Sequence, residues 1–276
     1  MIFSKNNKID SKKRLGAVLA FGGVLVLNGL AGSTKILGGI NTAEVSDNNP
    51  TLFTPHGITF AIWGIIYLLL AGFCFYIYGI GVKKRTIKAE KINHVLKWFT
   101  ISSILNSLWI LAWQYQILWL SVLLIFCLLY SLTKIADVTR SVHPQKLEYV
   151  MAKLPFSIYF GWITVASIAN VSVWLVSVGW DGLGVREGIW TVGILLVAAA
   201  IGLVASIRNN DAAYLLVFVW AFCGILLKHL APSGHNGAYP TIIITLVILL
   251  AVLLSFALQM IRPTIEKWLS SNDHRL

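Results

Sequence analysis

Charge is scarce in this sequence. Asp, Glu, Lys and Arg together make up 12% of the 276 residues, about half the share of roughly 25% found in soluble domains. With 57% hydrophobic residues beside them, that scarcity excludes a water-soluble globular chain. Cysteine is nearly absent as well. Cys74, Cys127 and Cys223 show no paired spacing and fall in apolar runs, so they read as small buried hydrophobes rather than a disulfide framework or a metal set. Acidic residues are few, eleven in all, and each sits in a loop, a tail or at the end of an apolar run. No centre of an apolar run holds Lys, Arg or His either. Ionisable groups within the bilayer usually mark proton relays and ion paths. Their absence argues against a proton-coupled carrier working by side-chain titration. It also removes the usual general acids, bases and metal ligands from the interior, which points away from an enzyme and toward no required cofactor.

What the chain has instead is apolar length. Eight runs are long enough to cross a bilayer, given that about 18 residues suffice. They begin near Leu15, Gly57, Leu96, Ile117, Leu154, Gly188, Ala212 and Pro240. The split between spans three and four rests on the short connection "WQYQ". The net charge of +11 resembles a nucleic-acid signature until its placement is considered. All but Lys35, Arg186 and Lys228 of the 22 Lys and Arg fall on one side of the eight-span arrangement. Lys5, Lys8, Lys12, Lys13 and Arg14 precede span one, and Lys83, Lys84, Arg85 and Lys88 lie between spans two and three. Basic loops of this kind set orientation, so both termini are expected in the cytoplasm and no nucleic-acid partner is implied. The expected architecture is an all-α integral membrane bundle of about eight transmembrane helices in the cell membrane. Its parts are a basic segment 1–14, a bundle 15–178, a three-helix region 188–262 and a tail 263–276.

The loops look like connectors. The inner ones, "GVKKRTIKAEKINH" and "DVTRSVHPQKLE", are charged and read as solvated. The outer stretch Lys35 to His56 carries Pro50 and Pro55 and reads as ordered turns. His229 and His235 share an outer loop; two histidines without acidic or cysteine companions make a poor metal site, so the expectation is a solvated loop. His56, beside Pro55, is the better candidate for meeting a ligand.

The interior of the spans carries rings and a few amides. Phe60, Trp63 and Tyr67 recur at offsets of three and four on span two. Asn106, Trp109 and Trp113 do so on span three, with Trp98 further back on nearly the same stripe. Tyr159, Trp162, Ala166 and Asn170 share a face of span five. Pro155, Tyr159 and Trp162 loosely echo Pro55, Phe60 and Trp63. Trp119, Trp180, Trp190 and Trp268 fit the aromatic belts at membrane boundaries. Trp63, Trp109 and Trp162 lie deeper than a belt, where an indole N–H wants a partner. Spacing alone leaves a packed core and a ring-lined cavity as alternatives, and Asn28 on span one serves either as glue or as lining.

These residues resemble the TspO/MBR family, the tryptophan-rich sensory and translocator proteins. Pro50, Pro55, Trp63 and Tyr67 match its first loop and second helix. Asn106, Trp109 and Trp113 match its third, and Pro155, Tyr159, Ala166 and Asn170 its fifth. The correspondence runs through about Val178. The chain departs from the pattern where Leu52 or Phe53 and Gly57 replace loop tryptophans, and in three further spans. The resemblance implies a bundle with a ring-lined pocket under the first loop. Such a pocket would bind a flat hydrophobic ligand, a tetrapyrrole such as haem or protoporphyrin or a sterol-like molecule. The implied wall is Trp63, Tyr67, Asn106, Trp109, Trp113, Tyr159, Trp162 and Asn170, with His56 at the mouth. The implied partners are a hydrophobic small molecule and the lipid bilayer, and a homodimer is left open. The alternative is a transporter or permease subunit for a lipid-like or peptide substrate.

Overall fold

The structure is a computed structural model, and it describes residues 8–81, 85–142 and 144–273. Side chains are described except for Ala43 and those from residue 263 onward. Lys5, Lys83, Lys84 and Arg275 of the basic segments, and the side chain of Trp268, thus lie outside the described residues. Eight helices among the described residues are long and apolar enough to cross a membrane, and no strand accompanies them. The protein is a multi-pass membrane protein. Helices suit that solvent because they satisfy their own backbone groups, which lipid cannot do.

Helix α1 spans Ser11–Ser33. A short helix α2, Thr42–Asp47, sits in the outer loop, followed by α3, Ile62–Tyr78. Next come α4, Ala89–Gln114, and α5, Leu118–Arg140. One turn, α6 at Lys146–Glu148, leads through a π-wound segment Tyr149–Lys153 into α7, Leu154–Ser177. The last three are α8, Glu187–Asn209, α9, Ala212–Leu230, and α10, Pro240–Asp273. The "WQYQ" connection does divide two helices: Gln116 turns into the left-handed region at φ 55°.

Helix ends follow local chemistry. The Asp10 carboxylate accepts from the Lys12 and Lys13 N–H groups at 2.8 and 3.2 Å, capping α1. Asn41 and Glu44 form a reciprocal capping box on α2: Glu44 N–H donates to Asn41 Oδ1 at 3.0 Å, and Asn41 N–H to Glu44 Oε2 at 2.9 Å. The Glu44 carboxylate also accepts from Lys35 at 2.9 Å, and that bond holds it below the ordinary carboxylate range. Pro155 has no N–H to return to the preceding turn, and the π-wound segment lies just before it.

Two compact units divide the chain. The first comprises Met1–Thr51 and Phe60–Leu183, within the described residues. Here α1 packs on α4, α4 on α5, α5 on α7, and α7 on α3. The second comprises Leu52–Thr59 and Gly184–Leu276, with α8, α9 and α10 packed against one another. The loop stretch Leu52–Thr59 is stitched to this second unit. His56 N–H donates to Gly224 O at 3.0 Å, and Trp220 Nε1–H to Thr59 O at 2.9 Å. Gly224 permits the approach, because a Cβ there would lie 2.0 Å from Thr59 Oγ1.

Two expectations about solvent are corrected. Glu148, assigned to a solvated loop, is 2% exposed. It turns inward because four hydrogen-bond donors surround its carboxylate, as described below. The cysteines are not all buried: Cys127 and Cys223 are exposed and Cys74 is half-buried. On apolar helices the outward face is as hydrophobic as the inward one, so composition gives no sign of which way a thiol points.

Candidate functional site

Helical spacing placed three sets of rings on single faces, and the fold turns those faces together. Trp63 of α3 lies at the centre. Its indole stacks on Tyr67 one turn along, with ring centres 5.4 Å apart and planes 23° from parallel. It meets Trp109 of α4 at 5.9 Å, and Tyr159 and Trp162 of α7 at 6.1 and 6.3 Å in edge-to-face contact. Trp109 stacks in turn on Trp113 at 6.1 Å, and Phe60 meets Trp162 at 6.0 Å. All these separations fall within the 4.5–7 Å of favourable ring pairs, each worth about 0.5–1.5 kcal/mol beyond burial. The indole of Trp63 therefore occupies the space between its neighbours. Trp63 and Tyr67 are themselves half-buried, so the cluster has one open flank, on α3.

A chain of amides and a phenol crosses the bundle beside the rings. Asn28 Nδ2–H donates to Asn106 Oδ1 at 2.9 Å, and Asn106 Nδ2–H donates to the Tyr159 hydroxyl at 3.0 Å. Asn106 is fully buried, and its bonds tie α1, α4 and α7 together. Asn28 thus acts as interhelical glue. Trp113 gives its indole N–H to Thr42 O at 3.2 Å. The neighbouring Gln114 amide donates to Ala31 O and Ile40 O at 3.2 and 2.9 Å. The end of α4 thereby grips the outer loop of its own unit.

Several buried polar atoms in this unit have no hydrogen-bond partner among the described residues. They include Trp109 Nε1, Trp162 Nε1, Asn170 Nδ2 and the Tyr67 hydroxyl oxygen, with Arg14 Nε, Arg85 Nε and Gln114 Oε1 elsewhere in the unit. Trp109 is 5% exposed and Trp162 2%, so lipid and solvent do not reach them freely. An unsatisfied buried donor costs about 1–3 kcal/mol. Both indole nitrogens and the amide nitrogen can only donate.

Not every candidate joins the cluster. Asn170 is drawn toward α5, where its Oδ1 accepts from Ser121 Oγ–H at 3.1 Å. His56 belongs to the second unit, where its Nδ1 faces the Ile58 N–H at 3.4 Å. Trp98 lies elsewhere on α4, donating to His94 Nε2 at 3.0 Å and meeting Tyr130 edge-on at 5.8 Å. It shares the stripe and lies further back along the helix, as its place in the sequence implies. Eleven residues separate Trp98 from Trp109, or about 16 Å along a helix axis at 1.5 Å per residue.

The sequence reading passed over Glu148. Its carboxylate accepts from the Tyr76 hydroxyl at 2.6 Å, from Thr86 N–H at 3.0 Å and Ile87 N–H at 3.2 Å, and from the Thr86 hydroxyl. Beside it, Arg85 donates to Tyr76 O and Ile77 O at 2.7 and 2.9 Å, closing the C-terminus of α3 with a positive charge. No local pattern marks Glu148, because its partners lie more than sixty residues earlier in the chain.

The family is now decided by a match over nearly the whole chain. A family model described as TSPO-like protein matches residues 14–259. The chain belongs to the TSPO-like protein family. The match runs past Val178, where the motif correspondence stops, and takes in α8, α9 and most of α10. No curated protein and no solved structure matches the chain. TSPO-like membership and the membrane bundle agree with each other. The ring cluster sits within the matched residues.

The second unit holds a separate group. His229, in the last turn of α9, is fully buried. It was expected in a solvated loop, but the loop after α9 folds back and covers it. Its ring lies 4.6 Å from that of His235, centre to centre, and Tyr239 meets both edge-on at 5.7 and 5.4 Å. Burial, with His229 and Lys228 alongside, holds His235 below the ordinary histidine range.

Proposed function

We propose that this TSPO-like protein is a membrane receptor for a flat, hydrophobic molecule that presents hydrogen-bond acceptors, bound against the ring cluster of the first unit. The observation carrying this reading is the pairing of converged rings with donors that lack acceptors. Indole and phenol faces favour a planar π-system, while Trp109 and Trp162 offer N–H groups that only an acceptor can complete. A tetrapyrrole bearing carboxylates has both features, and a sterol-like molecule with a carbonyl or hydroxyl has one acceptor and no flat π-face. Because Trp63 already fills the centre of the cluster, the guest stacks on the open flank of Trp63 and Tyr67. There it turns the Trp63 indole aside, keeping the stack while its acceptors reach the Trp109 and Trp162 N–H groups. Binding of this kind serves sensing, sequestration or passage of the ligand.

Titration of the detergent-solubilised protein with protoporphyrin tests the reading through quenching of tryptophan emission. The expected result is saturable quenching whose affinity weakens about five- to twelvefold in Trp63→Leu, since one lost stacking partner is worth roughly 1–1.5 kcal/mol. Quenching that rises linearly without saturation, or that is the same in Trp63→Leu, would overturn it.

A further inference from the structure

The second unit opens a cleft of ≈ 490 Å³ at the end where α8 and α10 begin. That volume falls in the range of small-molecule sites, about 300–1,000 Å³. Its lining divides by chemistry. Ile189, Val192 and Ile242 make it apolar on one part, and Arg186, Glu187 and Tyr239 bring polar groups to another. Ile189 and Val192 are one turn apart on α8, so they form a strip leading down the helix from Arg186 and Glu187. The basic loops lie at the opposite ends of the spans, which sets this cleft at the outer leaflet.

The two charges at the cleft stay apart. Arg186 and Glu187 are exposed neighbours, yet they make no ion pair with each other, and Arg186 has none with any described residue. Glu187 is committed on one oxygen only. Its Oε1 accepts from Leu52 N–H at 3.2 Å, leaving Oε2 open to a second donor. Leu52 is fixed in turn, because its carbonyl accepts from His229 Nε2–H at 2.9 Å. Tyr239 is braced by the same group, with the His229 and His235 rings edge-on to it at 5.7 and 5.4 Å. His235 is set there by the wrap of its loop, its backbone N–H donating to Lys228 O at 3.0 Å. Gly234 permits that wrap, because a Cβ there would sit 2.0 Å from Lys228 O. Glu187 and Tyr239 are thus held in place, and the positive charge beside them is unpaired.

A cation and an anion side by side, above an apolar strip at the outer leaflet, match one class of amphiphile. We propose that the cleft binds a phospholipid with a zwitterionic, primary-amine headgroup. The Arg186 guanidinium donates to the phosphate oxygens, and Glu187 Oε2 accepts from the ammonium. One acyl chain lies along Ile189, Val192 and Ile242. An acidic headgroup has no cation to offer Glu187, and a choline headgroup has no N–H to give it. This site is independent of the ring cluster and of the receptor reading.

Native mass spectrometry of the delipidated full chain in detergent tests the site. Phosphatidylethanolamine, phosphatidylcholine and phosphatidylglycerol with the same acyl chains are titrated separately. One phosphatidylethanolamine should bind saturably and about fivefold more tightly than either of the others, the upper end for an exposed ion pair. Glu187→Gln keeps an acceptor for Leu52 N–H and should abolish the preference over phosphatidylcholine. Arg186→Gln should weaken both zwitterionic lipids alike, again by about fivefold. Soluble phosphoethanolamine should not compete, since it lacks the chain that the apolar strip holds. Equal binding of the three lipids by the wild-type protein would overturn the proposal even if a variant failed to fold. So would a preference unchanged in Glu187→Gln, or displacement of the lipid by phosphoethanolamine.

Discussion

Two buried polar groups of the first unit behave in opposite ways. At Glu148 the carboxylate gathers the Tyr76 hydroxyl, the Thr86 hydroxyl and the N–H groups of Thr86 and Ile87. At the ring cluster, Trp109 and Trp162 bury indole N–H groups and complete neither. Burial is similar in the two places, at 2% exposed for both Glu148 and Trp162. A saturated buried group holds the fold together, and removing it leaves its partners stranded. An unsaturated one is a standing cost that binding can offset. On the receptor reading proposed above, the contrast separates residues that hold the fold from residues that meet the ligand.

The comparison breaks most visibly at Glu148. Glu148→Ala strands the buried Tyr76 hydroxyl and takes the acceptor from the part-buried Thr86 and Ile87 N–H groups, so it should lower stability by about 2–3 kcal/mol. Thermal unfolding in detergent should show this, with ligand affinity unchanged in the protein that still folds. Glu148→Gln keeps the shape and an acceptor oxygen and should recover most of that loss. An equal loss in Ala and Gln variants would mean that the charge, and not the hydrogen bonds, carries the clamp. A middle-sized effect is expected at Asn106, which links α1, α4 and α7. Asn106→Leu strands one of the two Asn28 amide N–H groups, the other staying on Val24 O, and should cost about 1–3 kcal/mol, again read by melting. The smallest effect belongs to the half-buried capping box of α2. Glu44 sits below the ordinary carboxylate range because of Lys35. Its contribution is therefore complete above that range and is lost as pH falls through the depressed value. Amide exchange across α2 should speed up on acidification while the spanning helices stay protected.

How much of this was legible beforehand follows from the range of each signal. The eight spans come from runs of apolar residues, a property of neighbours in sequence, and all eight stand. The facing rings come from helical periodicity. Trp63, Trp109, Tyr159 and Trp162 met because each was several residues inside its span and on one stripe. Periodicity fixes an angle and leaves depth to be counted, which is why Trp98 fell on the stripe and far from the cluster. Asn170 shares the helix with Trp162 yet bonds across to Ser121, since eight residues turn a helix about 80° past two full circles. Glu148 and the His229–His235 pair were out of reach for another reason. Their partners are backbone groups brought in by distant loops, and a backbone N–H or carbonyl leaves no mark in the sequence of residue types.

The most direct measurement of the central claim is the protoporphyrin affinity of the Trp109→Phe/Trp162→Phe double variant, followed by the porphyrin's own absorption band. Phenylalanine keeps an aromatic ring and removes only the stranded N–H. The expected outcome is affinity reduced by about thirty- to a hundred-and-fiftyfold, at roughly 1–1.5 kcal/mol per lost bond, with a melting temperature equal to or above that of the parent. An unchanged affinity would mean that the two indole N–H groups meet no ligand and that the cluster is packing alone.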